Sequence, residues 1–262
     1  MVIRGKIILG PGMMDRHGIW EAVISMGQPG KLIVFEGGEG CGKTTQLQRL
    51  YGWMMAAFGC ATPVANTIAP LTYPQGGPTG IHQTREPGGT DLGQMLRGIL
   101  LGQEPYQVSS AIDSRTELLL YAADRAQHVT TDLRPRLQRG EIVLCDRYTA
   151  STIAYQGYGR GLDRGLIEQL NAIATNGLQS DLTLWLDLDV EVGLARTRQR
   201  GATDRMEQSD LAFHQRVRQG FQALAQADPG RMVRIEALGT ADEVFERIQT
   251  VVAAQLDQWY GG

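Results

Sequence analysis

A three-layer α/β/α fold on a parallel sheet is what this sequence of 262 residues predicts, and three observations carry the prediction. Short apolar runs, Leu32-Ile33-Val34-Phe35 first among them, lack polar alternation and so suit strands buried on both faces. Stretches of helical periodicity lie between those runs, the order expected of a parallel sheet with crossover helices. A glycine-rich turn, Gly37 to Gly42, joins the first run to the first helical stretch.

In chain order, residues 1–30 show no periodic apolar face and are expected to form a disordered extension, with a strand at Val2–Leu9 as the alternative. The main domain is expected over 31–260. Thr44–Phe58 reads as a helix with Leu47, Leu50, Met54 and Ala57 on one face, ended by Gly59. Residues 62–83 hold Pro63, Pro70, Pro74, Pro78 and Gly76-Gly77, which points to a surface insertion. Thr90–Leu101 is helical in pattern, and Ser114–Leu137 is a long helix with Pro135 near its end. Glu141–Cys145 is a buried strand that delivers Asp146 to the carboxyl edge of the sheet. Leu182–Leu188 and Met232–Ile235 are further strands, and Ala241–Trp259 is an amphipathic closing helix.

A net charge of −3 carries no basic excess, so a nucleic-acid partner is not expected and any polyanion handled should be small. No apolar run reaches the length of a membrane span, so no membrane association is expected. Three cysteines (Cys41, Cys60, Cys145) without a C-x-x-C pair suit a reducing, cytoplasmic setting.

The chemistry starts at Gly37-Gly38-Glu39-Gly40-Cys41-Gly42-Lys43-Thr44, which fills every fixed position of the phosphate-binding pattern G-x-x-x-x-G-K-[ST] behind a strand. Glycines let successive backbone N–H groups curl around phosphate oxygens, where a Cβ would obstruct the approach. Lys43 supplies a charge for the β- and γ-phosphates, Thr44 a hydroxyl for Mg²⁺, and the helix that Thr44 and Thr45 begin offers its positive end. Cys41, beside Lys43 and a helix N-terminus, is expected to be the most reactive of the three thiols; a small, inert side chain under the loop is the alternative. Three further clusters follow: Thr84-Arg85-Glu86-Pro87-Gly88-Gly89-Thr90 leading to Arg97; Asp146-Arg147-Tyr148 leading to Thr152, Tyr155 and Gln156; and Arg196, Arg198, Arg200 and Arg205. Singly each has a plain explanation as a turn, an ion pair or a solvated helix end.

Together, in this order behind one phosphate loop, these clusters resemble the bacterial thymidylate kinases over about residues 31–255. The resemblance implies the P-loop NTPase version of the α/β/α fold with a small lid at about 196–207, a homodimer, and transfer of a phosphoryl group from ATP to dTMP with Mg²⁺. Residues 1–30 and 62–83 carry no family motif.

By that resemblance Gly37 to Thr45 hold ATP, and Asp146 holds Mg²⁺ with Thr44. Arg97 and Arg147 grip the acceptor phosphate, since a guanidinium fork matches phosphate oxygens. Glu86 lies beside that site or braces Arg85. Tyr121 and Arg125, spaced i, i+4, share a helix face toward thymine, where Phe is the commoner aromatic; Thr152 meets the base edge, and Tyr155 and Gln156 line the sugar. Glu39 contacts the acceptor sugar or a lid arginine. Lys43, Arg196, Arg198 and Arg200 neutralise the transferring group. Two other readings stand beside this one. A kinase for another nucleotide is favoured if Tyr121 and Arg125 lie away from the cleft. A phosphate-loop regulatory protein is opposed by the density of arginine on the acceptor side.

Overall fold

In the computed structural model the described residues are 28–59, 73, 76–106, 108, 110–199, 201 and 205–261. The expectations for the extension before residue 28, for most of the insertion and for Arg200 lie outside them.

The order is β1 (Lys31–Glu36), α1 (Lys43–Ala57), β2 (Ile81–Arg85), α2 (Asp91–Leu101), α3 (Ser114–His128), a π-helical turn at Val129–Leu133 and α4 (Arg134–Gln138). Then come β3 (Ile142–Asp146), α5 (Thr149–Thr152), a second π-helical turn at Ile153–Gly159, α6 (Arg164–Thr175), β4 (Leu182–Asp187), α7 (Val190–Gln199), α8 (Leu211–Ala227), β5 (Met232–Glu236) and α9 (Ala241–Tyr260). All strand pairs are parallel in the order β2-β3-β1-β4-β5.

The apolar runs became strands because both of their faces are covered. Ile33 and Phe35 pack with Leu47, Leu50 and Met54 of α1 and with Ile248 and Val252 of α9. Leu32 and Val34 face the other way, against Val143, Cys145, Val129 and Leu133. β2 is an addition to the sequence reading: it takes up Ile81, His82 and Gln83, the last residues of the stretch expected to be an insertion. Its sequence, IHQTR, has no apolar run because it is a half-covered edge strand.

The long helix expected over Ser114–Leu137 is continuous but passes through a wide turn just before Pro135. A proline ring collides with the carbonyl four residues back in an α-helix, and i→i+5 spacing relieves that conflict. No helix among the described residues is long and apolar enough to cross a membrane.

This topology places β1 at the centre, where the connections leave in opposite directions, so the loop after β1 sits at the crevice of the carboxyl edge. Register sets Phe35 opposite Asp146 and Asp146 opposite Arg85 along that edge.

Candidate active site

The turn from β1 to α1 is glycine-dependent for two separate reasons. Gly40 and Gly42 have φ of 66° and 92°, in the left-handed region. A Cβ on Gly40 would also stand 2.1 Å from the carbonyl oxygen of Gly193, on α7. α1 starts at Lys43 with no side-chain cap, which leaves its first N–H groups to a ligand. The Lys43 ammonium donates to the carbonyl oxygens of Gly37 (3.0 Å) and Gly38 (2.9 Å). The Thr44 hydroxyl donates to Asp146 Oδ2 at 3.0 Å, across from the end of β1. Cys41 is buried, its Sγ donates to the Gly38 carbonyl and the Lys43 ammonium lies 3.5 Å from it, so the packing of the inert alternative and the cationic neighbour of the reactive one are both present.

A cleft of about 280 Å³ extends from this loop, past Thr45, to Tyr121 and Arg125 of α3. Arg85, Arg97 and Arg147 line its middle. Arg97 donates to the Pro87 carbonyl at 3.1 Å; burial pushes its pKa down, and the neighbouring charges of Arg85 and Arg147 push it further. Cations held together at such a cost form a binding place for a multiply charged anion.

Arg147 holds a left-handed backbone, φ 75°, unusual for a residue with a Cβ. That turn sends its guanidinium back to the Gly37 carbonyl (3.0 Å), to Ser151 Oγ (3.1 Å) and to Glu39 Oε1 (3.0 Å), and over the Tyr155 ring at 5.0 Å.

Tyr155 donates its hydroxyl to the same Glu39 oxygen at 2.5 Å. Burial raises the pKa of Glu39, but Arg147 and Lys43 outweigh it and hold the carboxyl down at about 2. Of the two expectations for Glu39, the acceptor sugar or a lid arginine, neither names its charged partner in this structure, which is Arg147 at the end of β3.

At the far end Arg125 lines the cleft although only 2% of it is exposed. It donates Nε to Glu86 Oε2 (2.8 Å), Nη1 to Thr152 Oγ1 (2.9 Å) and Asn171 Oδ1 (2.7 Å), and Nη2 to the Tyr148 carbonyl (3.1 Å). Glu86 therefore braces Arg125, not Arg85; its other oxygen faces His128 Nδ1 at 3.0 Å. His128 lies a further 2.8 Å from Thr84 Oγ1. Gln156, also on the cleft wall, donates to Glu117 at 2.8 Å.

Of the arginines expected in the lid, those among the described residues are not gathered at the phosphate loop. Arg196 is half-buried and Arg198 exposed on α7, and neither lines the cleft. Arg205 turns instead to Glu117 and the Leu100 carbonyl. At that corner Met206 and Glu207 line the wall.

Sequence reasoning missed four buried groups that shape the site. Glu36 accepts from the backbone N–H groups of Tyr148 and Ser151 and from Ser151 Oγ, which fixes the start of α5 and hence Thr152. Its place at the end of an apolar strand, like that of Asp146, was an available signal. Asp124 receives the Gly88 N–H at 3.0 Å, and burial followed by the Glu86 charge raises its pKa to about 6. Glu117 had no local signal and His128 only Asp132, four residues on; their other partners are distant in sequence.

Comparison with known proteins agrees with this geometry. The profile of the thymidylate kinase family matches residues 62–248. A thymidylate kinase of Cyanothece sp. is 56% identical over 236 residues, 88% of this chain and 97% of that protein. One from Acaryochloris marina is 53% identical over 88% of this chain and 99% of its own length. Among solved structures, the thymidylate kinase from Ehrlichia chaffeensis superposes with a TM-score of 0.63 at 32% identity, covering 86% of this chain and 99% of that one.

Proposed function

This chain belongs to the thymidylate kinase family, and we infer from that premise that its cleft phosphorylates dTMP to dTDP with ATP as donor. The observation that carries the assignment to these residues is the cleft itself, which joins the phosphate loop, three arginines and the Tyr121–Arg125 face in one space. Gly37 to Thr45 cradle the donor phosphates, and Lys43 follows the charge on the moving group. Arg97 and Arg147 hold the acceptor phosphate in line, with Arg85 adding positive potential. That phosphate is already anionic near pH 7, so the transfer needs no general base.

Thr44 and Asp146 fit Mg²⁺, a hard cation that takes oxygen ligands and keeps much of its water. When bound there it orients and neutralises the donor phosphates. Arg125, fixed by Glu86, presents its edge to the pyrimidine with Thr152, and Tyr121 covers the base. Tyr155 and Glu39 stand at the sugar, where a tyrosine ring under C2′ leaves no room for a ribose hydroxyl. Arg196 and Arg198 stand off the cleft on α7 and are not assigned to the transferring group.

Leu92 and Met95 of α2, Leu119 of α3, and Leu166 and Ile173 of α6 are exposed apolar side chains on helices that pack side by side. That face supports a homodimer. The free thiols Cys41 and Cys145 accord with a cytoplasmic setting.

A coupled assay offering dTMP, dUMP, UMP, CMP and AMP as acceptors tests the function. The expected order places dTMP first and the ribonucleotides far behind; equal turnover of UMP or AMP would refute the assignment of the base and sugar contacts. The placement of Tyr121 and Arg125 on the cleft wall removes the motive for a kinase of another nucleotide.

A further inference from the structure

Glu117 is a completely buried carboxylate at the start of α3 for which the transfer chemistry has no use. A buried charge persists only where it is neutralised and hydrogen-bonded. Its Oε1 accepts from Gln156 Nε2 at 2.8 Å and from Arg160 Nε at 3.4 Å; its Oε2 accepts from Arg160 Nη2 at 3.4 Å and from Arg205 Nη2. Arg160 lies over the Phe213 ring at 4.6 Å, and Arg205 also donates to the Leu100 carbonyl at 2.9 Å.

These partners converge on one corner of the cleft. Gln156 lines it, as do Leu101, next to Leu100, and Met206 and Glu207, which follow Arg205 directly. One carboxylate thus joins three parts of the wall: the end of α2, the second π-helical turn, and the chain between α7 and α8.

A carboxylate can only accept hydrogen bonds. Glu117 therefore fixes the orientation of the Gln156 carboxamide, drawing Nε2 toward itself and turning Oε1 to the opposite side.

We propose that Glu117 is a positioning residue of the acceptor pocket, which orients Gln156 and fastens the Arg205–Glu207 corner through a single charge. The proposal rests on the reading of this cleft as the dTMP site. A purely structural ion cluster would lower stability when disrupted and leave the affinity of the remaining folded enzyme alone. A positioning group acts through Gln156, and its loss weakens the acceptor selectively.

The experiment is a double-mutant cycle with Glu117→Gln and Gln156→Ala, reading KM for dTMP, KM for ATP, kcat and melting temperature. Loss of a hydrogen bond to a charged group corresponds to roughly tenfold in affinity. The expected result is about a tenfold rise in KM for dTMP in each single variant and no further rise in the double, with KM for ATP within about twofold of wild type. If Glu117→Gln fails to fold, Arg205→Met removes the same tie from its half-exposed end, and the expected rise in KM for dTMP is about threefold.

Multiplication of the two effects to about a hundredfold would overturn the proposal, as would a lower melting temperature with unchanged KM. Failure of the wild type to use dTMP refutes the function and takes this proposal with it. An active wild type with an unresponsive Glu117→Gln variant refutes only the role given to Glu117.

Discussion

Replacement of Glu86 by Gln isolates the charge that holds Arg125 in place. The two side chains have nearly the same shape, and the Gln oxygen can still accept from Arg125 Nε, which now lies 2.8 Å from Glu86. His128 can drop to the neutral ring and accept an amide N–H at Nδ1 while keeping its contact with Thr84 Oγ1. Hydrogen bonds survive, so the loss is that of the counter-charge. The other partners of Arg125, namely Thr152, Asn171 and the Tyr148 carbonyl, are neutral.

Removing one member of a buried ion pair costs about 3–5 kcal/mol, and the surviving hydrogen bonds put this variant at about 3 kcal/mol. For a domain of this size each kcal/mol moves the melting temperature by about 2–4 °C, so a fall of about 6–12 °C is expected by calorimetry at pH 7. In the coupled assay the same variant should need more dTMP at unchanged KM for ATP, because Arg125 edges the cleft. Arg85→Gln, which removes an exposed guanidinium, should leave the melting temperature nearly unchanged. A fall of less than about 2 °C for Glu86→Gln, with unaltered KM for dTMP, would refute the view that Glu86 balances Arg125.

Lys43→Ala should cut turnover by about a hundredfold or more, roughly 3 kcal/mol of transition-state stabilisation, without altering the melting temperature; retention of a tenth of the activity would reject its role. For His128, burial lowers the pKa but the nearby carboxylates of Asp132 and Glu86, the latter accepting from Nδ1, outweigh it and raise the value to about 9. The folded state therefore keeps a proton that the unfolded chain releases near pH 6.5, and this contribution is complete below pH 6.5 and disappears as pH rises to about 9. Urea titrations at pH 6 and 9.5 should differ by up to about 3 kcal/mol more in wild type than in His128→Gln, and equal differences would reject the claim. Ile173→Asp, at a position 76% exposed, should convert a sedimenting dimer to a monomer; a monomeric wild type would refute the α2–α3–α6 interface.

The sheet centre and the phosphate loop were legible because their signals are local. Leu32–Phe35 and Ile142–Cys145 are apolar throughout, which follows directly from burial on both faces. β2 was invisible, since an edge strand covered on part of its surface has no need of apolar residues. The i, i+4 spacing of Tyr121 and Arg125 gave their shared face, but not the inward turn of the Arg125 donors, whose partners come from three other segments. Pairings such as Glu86 with Arg125, or Glu117 with Arg205, depend on how helices settle against the sheet, and no spacing encodes them.

The contact between Gly40 and Gly193 has a mechanical consequence. A Cβ on Gly193 would stand 2.3 Å from the Glu39 carbonyl oxygen, just as one on Gly40 would strike Gly193, so each glycine forms the ceiling of the other. Backbone rests on backbone with no side chain to act as a bearing. The start of the arginine-bearing helix is thus seated directly on the nucleotide cradle, three residues before Arg196 and five before Arg198. Evolution can vary the length and charge of the helix beyond that seat, but a methyl group on either side would pry the joint apart.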